Sequence, residues 1–306
     1  MKTCVILNPW AGRGAAGQRR PDLEAALREQ DVDFTLLTTH ARGGATELTY
    51  QAIGQGYECV VAVGGDGTIN EVVNGIIGSR EAGGHGAALA IVPLGTGSDF
   101  VKALNTVEPN DVWGAARRIA AGQVRSVDAG MVTVEAGAQT IRRAFINGLG
   151  MGIDAQVAVE SNNLPNLRGF AVYLVAVMRA LATYKAHVMS VKFDDYEVRR
   201  RLLFASVANG QVQGGGFRMT PDAIIDDGLL DLCIVDKMRL DEIVRHFTRL
   251  IEGTHTTLRQ VTMGRARHIE VSSNGPIPVA TDGEVIATDA RHVVVDVLPG
   301  AVQLVC

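Results

Sequence analysis

Aromatic residues are only 5% of the 306-residue chain, and 29 basic residues are outnumbered by 33 acidic ones, for a net charge of −4. Few stacking platforms and no excess of cations argue against a nucleic-acid partner. Cysteine is scarce: Cys4, Cys59, Cys233 and Cys306 are scattered without a Cys-x-x-Cys pair. They read as reduced thiols, which places the chain in the cytoplasm. The longest apolar run, Phe170 to Met178, falls far short of the ~20 residues that span a bilayer. Membrane contact is therefore expected to be peripheral. The apolar stretch from Met1 to Pro9 is too short for a signal peptide, and the seven histidines lack metal-ligand spacing. Internal repeats and low-complexity linkers are missing as well.

What is present is enough apolar material, 47% of the residues, to bury a full core in two domains or one large one. The most informative stretch is Gly64-Gly65-Asp66-Gly67-Thr68-Ile69-Asn70-Glu71. A strand-like run, Cys59 to Val63, leads into it, and Ile69, Val72, Val73, Ile76 and Ile77 then recur at helix spacing. Glycines let the backbone N–H groups approach a ligand, and the helix N-terminus adds unpaired donors and partial positive charge. That combination is a phosphate cradle. Thr68 and Glu71 also stand in the relation of a capping box, which would account for both without a ligand. Asp66 has no such account, since a carboxylate inside the cradle repels phosphate unless a cation such as Mg²⁺ lies between them.

Up to about residue 125 strands and helices alternate: Thr3–Leu7, Pro21–Gln30, Asp33–Thr38, Ala45–Gln55, Cys59–Val63, Ile69–Ile77, Ala88–Pro93 and Val112–Ala121. The pattern predicts an α/β domain, 1–125, with a parallel sheet and its ligand at the carboxyl ends of the strands. Three loops fall there: Asn8 to Gly12, the glycine loop, and Leu94-Gly95-Thr96-Gly97-Ser98-Asp99-Phe100. Beyond 125 the runs shorten and alternate, as in Ser126–Val134, Ile141–Asn147, His187–Phe193, Leu202–Ala208, Leu229–Val235, His268–Ser272 and His292–Leu298. They predict a mostly antiparallel β-sandwich domain, 126–306, with helices over about Leu167–Lys185 and Leu240–Ile251. Asp227-Gly228 and Asp282-Gly283 read as hairpin turns.

Taken in order, these motifs resemble the diacylglycerol kinase catalytic-domain family of lipid kinases, which includes bacterial soluble diacylglycerol kinases and relatives of sphingosine kinase. The resemblance rests on Gly64 to Glu71, Leu94 to Phe100, Asn209-Gly210 with Gly214-Gly215-Gly216-Phe217, Pro221-Asp222-Ala223 with Asp226 to Asp231, and Asp282-Gly283-Glu284. The first motif alone is shared with NAD kinases and phosphofructokinases. Walker A and protein-kinase signatures are missing from the sequence.

The resemblance implies that ATP lies across Asn8, Pro9, Trp10, Ala11, Gly12, Thr39, Gly65, Asp66, Gly67, Thr68, Ile69, Asn70, Glu71 and Thr96. Asp66 and Asp99 would hold the catalytic Mg²⁺, Asp99 having a helix cap as its plain alternative. Glu284 is similar to the family's general base, with raised basicity expected from an apolar neighbourhood, and Asp66 is its rival for that role. A second, structural Mg²⁺ is implied at Asp227 with the carbonyls of Ile224 and Leu229. Ser98 departs from the Asn of many members. The chain also stops soon after the Val293–Leu298 strand, whereas some relatives add a terminal segment that packs back on the first domain, so a thinner interface is expected there.

The reading is an ATP-dependent lipid kinase acting on diacylglycerol or a related lipid presented at a membrane surface. The alternatives are an NAD kinase-like enzyme or a catalytically silent lipid- or nucleotide-binding protein, and a homodimer is left open. Arg142-Arg143 and Arg199-Arg200-Arg201 read first as solvated faces, with anionic headgroups as their functional alternative.

Overall fold

The strands Thr3–Leu7 (β1), Phe34–Thr38 (β2), Cys59–Gly64 (β3) and Ala88–Pro93 (β4) pair in parallel, in the order β4-β3-β1-β2. Every residue of β1, β3 and β4 is buried, whereas the edge strand β2 is mostly half-buried. Two-sided burial is what a parallel sheet covered by helices requires, and it explains why these strands read as unbroken Val/Ile/Ala runs. The computed structural model describes residues 1–95, 97–104, 107–162 and 170–306. They divide into two compact units, residues 1–129 with 299–306, and residues 130–298.

In the first unit the helices are Ala15–Gln18 (α1), Arg20–Glu29 (α2), Gly44–Gly54 (α3), Asp66–Glu81 (α4), Asp99–Lys102 (α5) and Val112–Ala121 (α6). Leu23 and Leu27 of α2 and Ala115 and Ile119 of α6 pack with Val5, Leu7, Val61 and Val63 in one apolar cluster. The other helices, α3 and α4, pack on each other. Gly75 is the reason they can approach, since a Cβ there would lie 2.5 Å from that of Thr49. The last strand of the chain, Glu284–Val305, places Gln303 and Leu304 parallel to Ala88 and Leu89 of β4. The terminal segment thus returns to the first unit. Gly300 adopts φ +57° and donates its N–H to Asp128 Oδ1 at 2.7 Å, so the chain bends there and continues.

The second unit takes up the end of β5 (Val124–Ala136) and contains β6 (Gln139–Phe145), β7 (Gly148–Gly152), α7 (Ile153–Asn162), α8 (Phe170–Thr183), β8 (Val188–Phe193) and β9 (Tyr196–Ala208). It continues with β10 (Leu230–Asp236), α9 (Leu240–Glu252), β11 (Val261–Ala266), β12 (His268–Thr281) and most of β13 (Glu284–Val305). Its described strand pairs are antiparallel, and Phe145, Leu149, Val207, Leu232, Ile269 and Val293 lie in its buried core. The expected α/β plus antiparallel β architecture is the one observed.

Three elements of this unit escape the sequence reading: α7, β7 and β11. In α7 the buried Ile153, Ala155 and Val157 alternate as in a strand, yet the segment is helical. The predicted strand Ile141–Asn147 stops at Phe145 because the N–H groups of Ile146, Asn147 and Gly148 donate instead to Asp282. The predicted helix starting near Leu167 is described from Phe170 onward, residues 163–169 lying outside the described residues. Among the described residues no helix is long and apolar enough to cross a membrane.

Candidate active site

Three loops at the carboxyl ends of β1, β3 and β4 meet in the first unit. Asn8 ties the first to the second: its N–H donates to Val63 O at 3.0 Å and its side-chain amide donates to Thr68 Oγ1 at 3.1 Å. Its Oδ1 also accepts from Trp10 N–H, setting the turn through Pro9 and Ala11, in which Trp10 is 76% exposed. Gly12 touches the third loop, where a Cβ would lie 2.6 Å from Leu94 O. The second and third loops approach backbone to backbone, for a Cβ on Gly95 would lie 2.3 Å from Gly65 Cα. Only paired glycines allow that contact. The consequence is a rim of closely set main chain around the first turn of α4, whose leading N–H groups have no intrahelical acceptor.

Asp66, the first residue of α4, is half-buried among these loops; its Oδ1 lies 3.4 Å from the N–H of Phe100, and its Oδ2 occupies the space a Cβ on Gly97 would need. Asp99 is buried in the first turn of α5 and accepts from Lys102 Nζ at 2.7 Å. The N-cap of α5 is Ser98 rather than Asp99, so Asp99 is not the helix cap. Ser98 has φ +51°, a left-handed conformation that Asn tolerates better than Ser, and its buried hydroxyl makes no hydrogen bond. Gly67, Thr68, Ile69 and Asn70 form the opening turns of α4, and Thr39 is buried at the end of β2 with its N–H on Leu7 O. Thr96 lies outside the described residues.

Glu71 faces another way. Its two carboxylate oxygens accept from the N–H groups of Gly43 (2.8 Å) and Ala45 (2.9 Å), so it caps the N-terminus of α3. The capping-box reading of Thr68 and Glu71 is corrected accordingly: α4 starts from Gly65 with no side-chain cap.

In the second unit Asp282-Gly283 forms the two-residue turn between β12 and β13, with φ +46° and +82° and Thr281 paired to Glu284. Asp282 is buried and accepts three backbone N–H groups at 2.8–3.0 Å, from Ile146, Asn147 and Gly148. Glu284, one step past the turn, is ion-paired with Arg143 at 3.0 Å. Its setting is therefore not the apolar one expected. Arg143 was legible only as part of a basic pair, since its partner is 141 residues away. Arg200 is likewise committed, to Asp236 at 2.9 Å.

Asp227-Gly228 is not a hairpin, for no strand precedes it; Asp227 Oδ1 accepts from Leu229 N–H, a local turn that leads into β10. Asp227 Oδ2 pairs with Arg265, which also lies 3.4 Å from Asp231. Asp231 Oδ2 is buried with no hydrogen-bond partner, and burial pushes this carboxyl up to about 6 against the pull of Arg265. A buried orphan oxygen beside a second carboxylate fits a hard cation. Among the described residues no three His, Cys, Asp or Glu side chains converge on one point.

Sequence reasoning missed one more titratable group. Asp154, in the first turn of α7, is half-buried, and its carboxyl is pushed up to about 7 by desolvation. Nearby Tyr184 has its hydroxyl buried without a partner and its acidity suppressed by burial and by Asp154. The available signal was a carboxylate directly after the strand Gly148-Leu149-Gly150-Met151-Gly152, where a Cβ on Gly150 would lie 2.3 Å from Asp154 Oδ2.

Residues 2–132 match the model of the diacylglycerol kinase catalytic domain, and residues 147–306 match that of the YegS C-terminal NAD kinase beta sandwich-like domain. The diacylglycerol kinase of Staphylococcus aureus (strain Newman) is 31% identical over 283 residues, 92% of this chain and 85% of that one. A solved structure from Bacillus anthracis str. Sterne superposes with a TM-score of 0.79 at 23% identity, covering 99% of this chain and 96% of that one. Another from the same strain, described as a diacylglycerol kinase, gives 0.71 at 21% with the same coverage. At those identities the likeness to the solved structures establishes the fold.

Proposed function

The chain belongs to the diacylglycerol kinase family and is a lipid kinase, and from that premise we propose that it transfers the γ-phosphoryl group of ATP to the hydroxyl of a diacylglycerol or a related lipid. The observation that carries this reading is the meeting of three strand-end loops at the N-terminus of α4, with the Asp66 and Asp99 carboxylates on two of them. Phosphoryl transfer asks for positioning and charge stabilisation rather than covalent chemistry by the protein.

In this reading the main chain of Asn8, Pro9, Trp10, Ala11 and Gly12, the hydroxyls of Thr39 and Thr68, and the N–H groups from Gly65 to Asn70 cradle the triphosphate. Asp66 and Asp99 would hold Mg²⁺, and the chemistry that ion would supply is charge stabilisation of the transferring phosphate. Glu284 accepts the proton of the lipid hydroxyl. The oxygen so freed bonds to the γ-phosphorus as the bond to the bridging oxygen breaks, and ADP leaves. Arg143 is a positioning residue that fixes the orientation of Glu284, and Asp282 holds the turn that carries it. Asp227, with the carbonyls of Ile224 and Leu229, would hold a second, structural Mg²⁺. The lipid is met at a membrane surface.

Incubation with labelled ATP, Mg²⁺ and diacylglycerol in mixed micelles tests this, with the product identified by mass. The expected result is a phosphorylated lipid whose formation falls at least about a hundredfold in Asp66→Asn and Glu284→Gln. Full turnover in Asp66→Asn, or label appearing in NADP rather than in lipid, would overturn it.

A further inference from the structure

Lys102 closes the one-turn helix α5, three residues after Asp99, and its ammonium donates to Asp99 Oδ1 at 2.7 Å. A pair at that spacing on a helix surface is ordinarily a solvated contact that adds little. This one differs in two respects. The Asp99 side chain is only 11% exposed and that of Lys102 36%, so the acid is held inside while the base reaches in from solvent. Nor does α5 need the pair to stay in place, because Phe100 and Val101 are buried and pin its backbone.

The carboxylate that Lys102 holds is also one of two that meet at this turn. Asp66 Oδ1 lies 3.4 Å from the N–H of Phe100, directly after Asp99, and Asp66 Oδ2 fills the space of a Cβ on Gly97, two residues before it. Two carboxylates flanking one turn are a donor set of hard oxygens that suits Mg²⁺. An ammonium and a divalent ion cannot share Asp99 without repulsion. Mg²⁺ sits at about 2.1 Å from a carboxylate oxygen, the ammonium lies 2.7 Å from Asp99 Oδ1, and two cations so close repel strongly where water is scarce. When the ion binds, Lys102 gives up Asp99 and needs another anion within reach of its side chain. In a site that takes a triphosphate, that anion is the phosphate chain held by the same ion.

We propose that Lys102 is an exchangeable counter-ion of this site, neutralising Asp99 until Mg²⁺ arrives with the nucleotide and then moving its ammonium to the γ-phosphate. The exchange makes metal binding depend on the triphosphate. It also brings a positive charge to the group whose charge is redistributed during transfer. The proposal deepens the lipid-kinase reading, and rests on it for the identity of the anion.

Mn²⁺, counted by its paramagnetic resonance signal, serves as the metal probe, and dioctanoylglycerol in detergent as the acceptor. Without nucleotide, Lys102→Met is expected to bind Mn²⁺ about tenfold more tightly than the parent, since the competing ammonium is gone. With ATP and Mg²⁺ the same variant should phosphorylate dioctanoylglycerol with a kcat about a hundredfold lower, because no ammonium reaches the γ-phosphate. Tighter metal with slower transfer is a pair of effects that loss of a local helix contact does not produce, and a loosened α5 would weaken both. Lys102→Arg should keep the parent's metal affinity, and the tightening should vanish when Lys102→Met is combined with Asp99→Asn. Lys102 is exposed, so equal melting of parent and variants checks the fold. Unchanged Mn²⁺ affinity or unchanged kcat in Lys102→Met overturns the proposal and leaves the kinase reading standing. A parent that labels no lipid ends the kinase reading; the metal titration then decides on Lys102 by itself, Asp99-dependent tightening keeping the counter-ion and its absence removing it.

Discussion

Asp154 illustrates how one side chain can set a pH dependence for the whole protein. Its carboxyl titrates at about 7 in the folded chain against 3.8 when exposed, because burial disfavours the charged form. The folded state therefore binds more protons than the unfolded state between about pH 4 and pH 7, and this group's contribution to stability falls as pH rises through that window. Asp154→Asn keeps an oxygen for the Ala155 N–H, which now donates to it at 2.8 Å. The variant is expected to be more stable than the parent above pH 7, by on the order of 3 kcal/mol, with the gain vanishing near pH 4. Melting temperatures of both proteins across that range check the claim, and a pH-independent difference would refute it. Asp66 was legible in the sequence because a carboxylate in a glycine loop demands a reason. The duty of Glu71 was not, since the N–H groups it caps belong to Gly43 and Ala45, earlier in the chain and with no sequence signal aimed at it.

Among the elements, the junction of the β3–α4 and β4–α5 loops depends on two facing glycines. Gly95→Ala would place a methyl 2.3 Å from Gly65 Cα and 3.1 Å from its nitrogen, so one loop must move. A loss of about 1–3 kcal/mol is expected, together with loss of the thermal protection that ATP gives the parent protein. Gly78→Ala, in α4 with nothing within 4 Å of the new methyl, is the contrasting case and should stabilise by roughly 0.5–1 kcal/mol. Thermal melts with and without nucleotide distinguish the two. The strands and helices of the first unit were legible because unbroken apolar runs and stripes of period 3.6 are separated there by glycine and proline. In β7 the same rules failed. Gly148 and Gly150 are small so that Gln213 and Asp154 can lie against the strand, and a segment whose packing is supplied by other segments carries no periodicity of its own.

At the scale of the molecule, the first unit is assembled from both ends of the chain. Val302, Leu304 and Val305 are buried in it, Gln303 and Leu304 pair with β4, and Cys306 N–H donates to Gln123 O at 2.9 Å. Ending the chain at Gly300 removes that strand and should cost on the order of 5 kcal/mol, comparable to the whole stability of a small domain. Calorimetry is expected to show an early transition for the first unit, and unchanged melting would contradict the assignment. The two architectures were legible from the change of texture near residue 125, but the returning strand was not, because its partner, β4, lies far earlier in the chain.

That returning strand also fixes an order of events at the ribosome. The sheet that carries the glycine loop needs residues translated after the whole of the second unit, so β1 to β4 wait, one edge uncovered, while everything between is synthesised. The second unit lies uninterrupted between residues 130 and 298 and can condense first. Nascent chains of this protein should then be most vulnerable to proteases and edge-to-edge association in the half made first.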